Sequence, residues 1–262
     1  MKTILFWILL APFLVFSQSD QSNENEEYLV VGTTVFAPKP GHMDDFKQGM
    51  KAHNEQFHNG GDWGVRIYNI MNGPNTDKMM AVMGPFQWST LDKPRENAEA
   101  HSEDWDKNVV PYMQEDLNST YWRFHHDLSN FPPNFDVNKL EIVMFDINRM
   151  EGERMKKELA KVTKVFKEKY PDMPYGIYTN EFAATNDGRD MAIAYFFDHF
   201  KWLSKDFKFK ENYNAVHGEG TYDKFMQEWK DITAGAQTEI WVFNQALSGI
   251  GSQVTTGSRV EE

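Results

Sequence analysis

Cysteine is absent from all 262 residues. A chain without thiols has no disulfide framework, no thiolate metal site and no cysteine nucleophile. The sequence also lacks a GxSxG motif, a glycine-rich phosphate loop and an HExxH zinc motif. These absences argue against the common serine hydrolase, nucleotide-binding and zinc protease classes. Stability therefore has to come from a packed core, for which the chain is long enough.

Positive charge is also scarce. Lys and Arg number 27 against 39 Asp and Glu, so the formal net charge is −12. No cluster of basic residues is interleaved with aromatic residues, as a nucleic-acid-binding groove requires. An aromatic content of 15% indicates a folded globular protein rather than a disordered one. Nucleic acid is therefore not an expected partner.

One apolar run, Ile4–Phe16, stands at the start of the chain. Lys2 precedes it, and Val15 and Ser17 provide small residues at the −3 and −1 positions of a cut after Ser17, which is the pattern of a cleaved secretory signal. The run is shorter than the roughly 20 residues that span a bilayer. We predict a signal peptide over residues 1–17, a periplasmic or secreted protein, and no membrane span after cleavage.

The remaining chain contains an internal repeat. The stretch "WGVRIYNIMNGPNTDKMMAVMGPFQW" (Trp63–Trp88) corresponds to "YGIYTNEFAATNDGRDMAIAYFFDHFKW" (Tyr175–Trp202). Each begins aromatic-Gly, passes an Asn/Asp/Gly turn typical of a β-hairpin, and ends in Phe-x-Trp. "YWRFHHDLS" (Tyr121–Ser129) likewise corresponds to "IWVFNQALS" (Ile240–Ser248). Two copies of one unit are therefore expected.

The helices of the two copies share their spacing as well. Upstream of the hairpins, one set of four positions matches a second set: Phe46, Met50, His53 and Phe57 against Met155, Leu159, Val162 and Phe166. Downstream, Trp105, Val109 and Tyr112 match Tyr222, Met226 and Trp229. Each copy is then predicted as strand, helix, strand, strand, helix, strand, with first strands at 28–36 and 140–147.

A βαββαβ unit places both helices on one face of its sheet and leaves the other face uncovered. Two tandem units can bury those faces against each other. We therefore predict an α+β fold in which two ferredoxin-like repeats pack their sheets into an intramolecular α/β barrel, so that a monomer suffices to close it. The predicted segments are a signal peptide 1–17, a polar linker 18–27, repeat one 28–129, a proline-containing linker 130–138, repeat two 139–248 and a flexible tail 249–262.

This repeat order resembles the dimeric α/β barrel superfamily of the antibiotic-biosynthesis-monooxygenase kind, with its pair of units fused in one chain. The resemblance rests on the repeat order, on strands ending in "FQW" or "FKW", and on a histidine that opens the second helix in "ENAEAHSEDW" and "NYNAVHGEGTY". It implies a cavity between the sheet and its two helices. Members include cofactor-free oxygenases, haem-degrading enzymes and haem peroxidases. Haem degraders place an Asn, a Trp and a His around the cofactor; Trp88 and His101 match the last two, but "YLVVGTTVF" offers no matching Asn.

The histidines are the candidate catalytic residues. His53 falls on the apolar face of the first helix, where the second copy has Val162. It is either a hydrogen-bonded core residue or a group that faces a cavity. His101 and His217 occupy equivalent positions and either orient the helix start or belong to a site. Only repeat one has a histidine at both of these positions, so we predict His53 and His101 as the catalytic residues.

Large side chains in repeat one are predicted to line the ligand cavity, namely Trp63, Tyr68, Trp88 and Trp105. Such a wall suits a flat apolar or aromatic molecule. Adjacent histidines in a strand point to opposite faces, so His125 and His126 are not expected to chelate one ion. We predict no metal ligand, and the positions of His58 and His199 look peripheral.

Two classes of function fit these residues. The first is a protein that binds a hydrophobic or aromatic small molecule and oxidises it without a tightly bound cofactor, in the manner of a monooxygenase. The second is a non-enzymatic ligand-binding or interaction module of the cell envelope, or a haem-binding protein with His53 or His101 as axial ligand. The sequence alone leaves both open.

Overall fold

The computed structural model describes residues 27–182 and 188–255. The predicted signal peptide, residues 18–26 of the predicted linker and residues 256–262 of the predicted tail lie outside the described residues. Residues 183–187 lie outside them too. Over the described ranges, no helix has both the length and the apolar character that crossing a bilayer requires.

The two halves of the chain contain the predicted elements in the predicted order. The first half comprises β1 (Leu29–Phe36), α1 (Met43–Phe57), β2 (Val65–Ile70), β3 (Met79–Gln87), α2 (Ala98–Asn108) and β4 (Asn118–Phe124). The second half comprises β5 (Asn134–Asp136), β6 (Lys139–Ile147), α3 (Gly152–Lys169), β7 (Tyr175–Asn180), β8 (Met191–Phe197), α4 (Phe209–His217), α5 (Thr221–Ile232), β9 (Thr233–Phe243) and β10 (Gln253–Thr255).

Eight strands form one closed barrel in the order β1-β3-β2-β9-β6-β8-β7-β4. Within each half the strands have the ferredoxin-like order, and antiparallel pairs β2–β9 and β4–β7 join the halves. Closure leaves none of these eight strands at an edge, which removes the exposed hydrogen-bonding groups that open sheets must protect. The predicted fold class, two ferredoxin-like repeats closing an α/β barrel within one chain, is confirmed.

Side chains alternate between the inside of the barrel and the helices outside it, as the pleat of a strand requires. On β1, Thr33 and Val35 face the barrel interior, whereas Thr34 and Phe36 face the helices. Three apolar clusters result: one inside the barrel, one under α3, α4 and α5, and one under α1 and α2. The cluster under α1 and α2 is smaller, with nine buried residues against thirteen under the helices of the second half.

The second helices of the two halves differ from the predicted match. His101 lies inside α2, and α2 ends at Asn108, so Val109 and Tyr112 follow the helix. In the second half two helices, α4 and α5, replace one, and His217 is the last residue of α4. Gly218 and Gly220 separate them with φ angles of 106° and 73°, in the left-handed region that glycine favours. His101 thus lies in the first turn of α2, whereas the expectation that His217 opens a helix is wrong.

The segments outside the repeats also contain a small sheet. β5, which falls in the predicted linker, pairs with β10, which falls in the predicted tail. This two-stranded sheet brings Phe135 and Val254 against the apolar cluster inside the barrel. The described part of the predicted tail is thus attached to the barrel rather than free.

Candidate functional site

A cavity of about 310 Å³ lies between the sheet and the helices α1 and α2. We call it the sheet–helix cavity. Its apolar wall includes Met50, Met83 and Trp105, and its polar wall includes Asn54 and His58. A concave, mainly apolar space with a few polar groups is the usual form of a small-molecule site.

The internal repeat explains why the first half has this space. Thr34 of β1 pairs with Ala81 of β3, and both line the cavity. At the corresponding register of the second half, Val143 of β6 pairs with Ile193 of β8, and Ile193 is buried in the core under the helices. Thr34 and Val143 have nearly the same size, so the difference lies at Ala81, where the second half has the larger Ile193.

Three histidines meet beside this cavity, and we call them the histidine cluster: His53, His58 and His101. One ring nitrogen from each lies within 4.8 Å of the other two. The ring centroid of His53 is 4.7 Å from that of His101 and 5.2 Å from that of His58. α1 supplies His53, the residue directly after α1 is His58, and α2 supplies His101. His58 belongs to both the cluster and the cavity wall.

His53 is completely buried, and its two ring nitrogens differ sharply. Its Nδ1 lies 2.8 Å from Oδ2 of Asp104, a carboxylate that accepts the Nδ1–H hydrogen bond. Its Nε2 makes no hydrogen bond to any described residue. Most buried polar atoms have a partner, and an unpartnered one is costly, so this lone pair calls for an explanation.

His58 and His101 are joined nitrogen to nitrogen. The Nδ1 of His58 donates to the carbonyl oxygen of Trp63 at 2.7 Å, since a carbonyl can only accept. The Nε2 of a neutral His58 therefore carries a lone pair, and the Nε2 of His101 lies 3.2 Å from it. One proton between the two Nε2 atoms can form a hydrogen bond that joins the two rings.

The environment keeps these rings neutral. Burial lowers the pKa of His58 to about 4, and burial followed by the charge of Arg95 lowers the pKa of His101 to about 4. Burial also lowers the pKa of His53, although the Asp104 carboxylate opposes that effect. Burial alone would raise the pKa of Asp104, but hydrogen bonds from His53 and Asn108 outweigh it and hold that pKa low.

Two glycines allow the chain to bring the cluster together. Gly49 of α1 packs against the carbonyl of Asn108 at the end of α2, where an added Cβ would lie 1.9 Å from that oxygen. Gly249 packs against the carbonyl of His58 in the same manner, at 2.1 Å. Asn54 also donates to the carbonyl of Leu247 at 2.6 Å. The end of the second half therefore holds the end of α1 in place.

The structure brings together only some of the predicted site residues. His53 and His101 are neighbours, and Trp105 lies against His53 with ring centroids 5.0 Å apart. Trp63 adjoins the cluster through its carbonyl, and the Arg95 guanidinium lies 5.0 Å from its ring centroid. Their catalytic and binding roles stay predictions.

Trp88 and Tyr68 lie elsewhere. Trp88 packs on Tyr121 and Phe182, with ring centroids 5.1 and 6.1 Å away. Tyr68 faces the inside of the barrel against Trp241. A second cavity, about 460 Å³ and bounded by all eight barrel strands, lies there, and we call it the barrel cavity. Tyr68 therefore borders a different space from the one that the histidines adjoin.

His58 is the residue that sequence analysis missed. It follows the last residue of α1 and precedes the polar "NGGD" turn, so it looked peripheral. The five-residue step from His53, together with the position of His58 directly after the helix, is the available signal. The contact with α2 that makes the cluster depends on tertiary packing.

Two histidines outside the cluster, His125 and His217, have ordinary hydrogen-bond partners. The Nε2 of His217 donates to the carbonyl of Lys161 at 3.0 Å. The Nε2 of His125 lies 2.8 Å from the hydroxyl of Thr179. Val162 takes the place of His53 in the second half and is buried in its core. The convergence of three imidazoles is thus a feature of the first half.

The sequence matches no protein-family model and no curated protein. Solved structures do match in three dimensions. A proposed monooxygenase from Lactobacillus acidophilus has a TM-score of 0.53 at 9% identity, covering 88% of this chain and 100% of that protein. A proposed monooxygenase from Fusobacterium nucleatum gives 0.52 at 12% identity, with coverages of 83% and 93%.

A chlorite dismutase from Candidatus Nitrospira defluvii, in complex with imidazole, has a TM-score of 0.51 at 8% identity. The match covers 84% of this chain and 93% of that protein. Identities this low establish likeness of fold. The closed barrel of two ferredoxin-like halves agrees with all three matches, and the chain therefore has the dimeric α/β barrel fold, with both halves in one polypeptide.

Proposed function

We propose that the protein binds an apolar or aromatic small molecule in the sheet–helix cavity and oxidises it in a monooxygenase-like reaction. The observation that carries the proposal is the cavity itself, which Ala81 lines at the position where the second half has the larger Ile193. Histidine imidazoles at one side of an apolar space supply hydrogen-bonding groups for a hydroxyl on the ligand. The two matched monooxygenases support the choice of reaction class through the shared fold.

An electron-rich phenol is the substrate class that fits such a space. With 1-naphthol, dioxygen can convert a ring carbon–hydrogen group into a second carbonyl and release one oxygen atom as water. The substrate supplies the electrons, so the balance is naphthol plus dioxygen to naphthoquinone plus water. A pKa near 4 makes His58 and His101 weak bases at neutral pH. Of the two, His58 lines the cavity, so its ring is the one expected to contact the hydroxyl.

The first test separates the two cavities with one substitution each. Ala81→Ile introduces the side chain of the second half into the sheet–helix cavity, and Ala194→Leu fills the barrel cavity, which Ala194 lines. We expect Ala81→Ile to weaken 1-naphthol binding at least about tenfold, or 1.4 kcal/mol, and Ala194→Leu to leave it unchanged. Isothermal calorimetry measures both, and circular dichroism checks folding.

Oxygen uptake then separates an enzyme from a binding protein. Turnover of 1-naphthol by the wild-type protein, reduced in Ala81→Ile, supports the oxidation. Binding without oxygen uptake would support the non-enzymatic ligand-binding module instead. Equal binding by Ala81→Ile and wild type, with loss in Ala194→Leu, would contradict the proposed location and assign the ligand to the barrel cavity.

Haem is the second candidate ligand, because the fold also occurs in haem enzymes. An axial histidine has to present a ring nitrogen to a slot that holds the macrocycle. His53 is fully buried, and the rings of Phe57, His58, His101 and Trp105 pack around it with centroids 4.7 to 5.2 Å away. His53 therefore does not fit as an axial ligand, and the three imidazoles converge on a point rather than on a plane.

A haem titration followed by visible absorbance checks this conclusion. We expect no saturable Soret shift that depends on His53. A saturable shift in wild type that His53→Val abolishes, while the variant keeps its circular dichroism spectrum, would contradict it. The same titration of His101→Ala tests the less buried ring.

A further inference from the structure

We propose that His53, His58 and His101 bind a single divalent transition-metal ion of the zinc class beside the sheet–helix cavity. The metal site is distinct from the proposed small-molecule site, and metal binding is measured in the absence of any small molecule.

The convergence of the three rings is the first argument. One nitrogen from each histidine lies within 4.8 Å of the others, and the two Nε2 atoms of His58 and His101 are 3.2 Å apart. A tetrahedral ion with nitrogen ligands at about 2.0–2.1 Å holds them about 3.4 Å apart. One pair is therefore already close to that separation, and the third nitrogen, which lies within 4.8 Å of the other two, has to move inward to complete the set.

The unpartnered lone pair of His53 is the second argument. Its Nε2 is buried without a hydrogen bond to any described residue, although its Nδ1 is well bonded. A core histidine that served packing alone would have both ring nitrogens paired, as His217 pairs its Nε2 with a carbonyl oxygen in the second half. A metal ion is a partner that satisfies a lone pair of this kind.

The hydrogen bonds at the opposite ring nitrogens are the third argument. Asp104 accepts from Nδ1 of His53, and the Trp63 carbonyl accepts from Nδ1 of His58. Metal-binding histidines usually donate their other N–H to a carboxylate or a backbone carbonyl, which fixes the tautomer and leaves Nε2 for the metal. Both arrangements are present here.

The chemistry of the donors selects the ion. Three neutral imidazoles without a thiolate suit zinc, cobalt, nickel or ferrous iron and not calcium or magnesium, which prefer oxygen ligands. Three histidines also leave one tetrahedral position free, as in catalytic zinc sites. Because His58 lines the sheet–helix cavity, an ion bound by the cluster borders that cavity. The Asp104 carboxylate offsets the positive charge of Arg95 at this point.

Cobalt titration of the tag-free protein tests the proposal, since tetrahedral Co²⁺ absorbs visible light. We expect one equivalent to bind with a visible absorption band that Zn²⁺ abolishes by competition and Mg²⁺ does not. His53→Val, which introduces the residue of the second half, should remove the band, and His101→Ala should remove it as well. Asp104→Asn should weaken binding about 10- to 100-fold.

His217→Ala is the matched control, because His217 lies on a helix of the second half, at the end of α4, outside the histidine cluster. This variant should bind cobalt as the wild-type protein does. Absence of saturable binding by wild type would overturn the proposal, and so would retained binding in both His53→Val and His101→Ala. Using two variants keeps the test decisive if one of them fails to fold. Naphthol binding by Ala81→Ile is a separate measurement, so failure of the ligand proposal is distinguishable from failure of this one.

Discussion

Replacing Gly49 with alanine is expected to destabilise the protein by about 3 kcal/mol, the upper end of what overpacking usually costs. The added Cβ would lie 1.9 Å from the carbonyl oxygen of Asn108 and 2.9 Å from its carbonyl carbon. These are backbone atoms at the end of α2, so no side-chain rotation relieves the contact. The two helices have to separate, and the small gain that alanine brings to a helix does not compensate.

The same substitution should disturb the histidine cluster. His53 lies one helical turn after Gly49 on α1, and His101 lies two turns before Asn108 on α2. Residues at these spacings share a helix face, so separation at the Gly49 contact moves the two rings apart. Cobalt affinity should therefore fall together with stability.

Gly152→Ala is the matched control for this prediction. Gly152 also lies in a helix, at the first residue of α3, and an added Cβ there meets no atom within 4 Å. Urea unfolding should show a midpoint close to wild type for Gly152→Ala and a clearly lower one for Gly49→Ala. Equal midpoints for the two variants would mean that the helices adjust without cost and that the close approach does not set their spacing.

The architecture could be predicted because both halves repeat the same order of elements. Hairpin turns, strand alternation and helix spacing are local properties. Their occurrence in both halves predicts two similar units, whose open sheet faces can close one barrel. The pairing of His53 with His101 followed from the same reasoning, since each was expected on a helix over one sheet.

The remaining parts of the site depend on packing that local patterns do not encode. Tyr68 was expected at the ligand cavity beside the helices, but the strand register directs it into the barrel. His58 gains its position from the end of α1 and from the chain around Gly249, almost two hundred residues away in sequence. The break at Gly218 gives the second half two helices where one was expected. Each of these results from a long-range contact or from a single backbone angle.

The sheet–helix cavity was implied by the resemblance, and its cause is visible in the sequence once the strand register is known. Thr34 and Ala81 occupy the register of Val143 and Ile193. The second half thus serves as an internal control in which the position of Ala81 carries the larger side chain of Ile193. A difference of this kind can be recognised only after the two hairpins have been aligned pair by pair.

Acid is expected to destabilise the metal-free protein, with His58 contributing about 3 kcal/mol. Burial lowers the pKa of His58 from 6.5 to about 4 in the folded state, and each unit corresponds to about 1.4 kcal/mol. As the pH falls below 6.5 the unfolded chain binds a proton that the folded protein does not, so stability decreases. The decrease is complete near pH 4, where folded His58 takes up the proton as well.

The groups around His58 make this effect a property of the cluster. Arg95, His53 and His101 each oppose its protonation, and the Nδ1–H bond to the Trp63 carbonyl is present in both protonation states.

His58→Gln keeps an N–H donor for that carbonyl and removes the titration. Urea unfolding at pH 7 and pH 4.5, in the presence of a chelator, should show a smaller acid loss in His58→Gln than in wild type. Carboxylates titrate in both proteins, so the difference between them isolates the histidine. Parallel losses would mean that the folded protein protonates His58 as readily as the unfolded chain does, and that its ring is open to water.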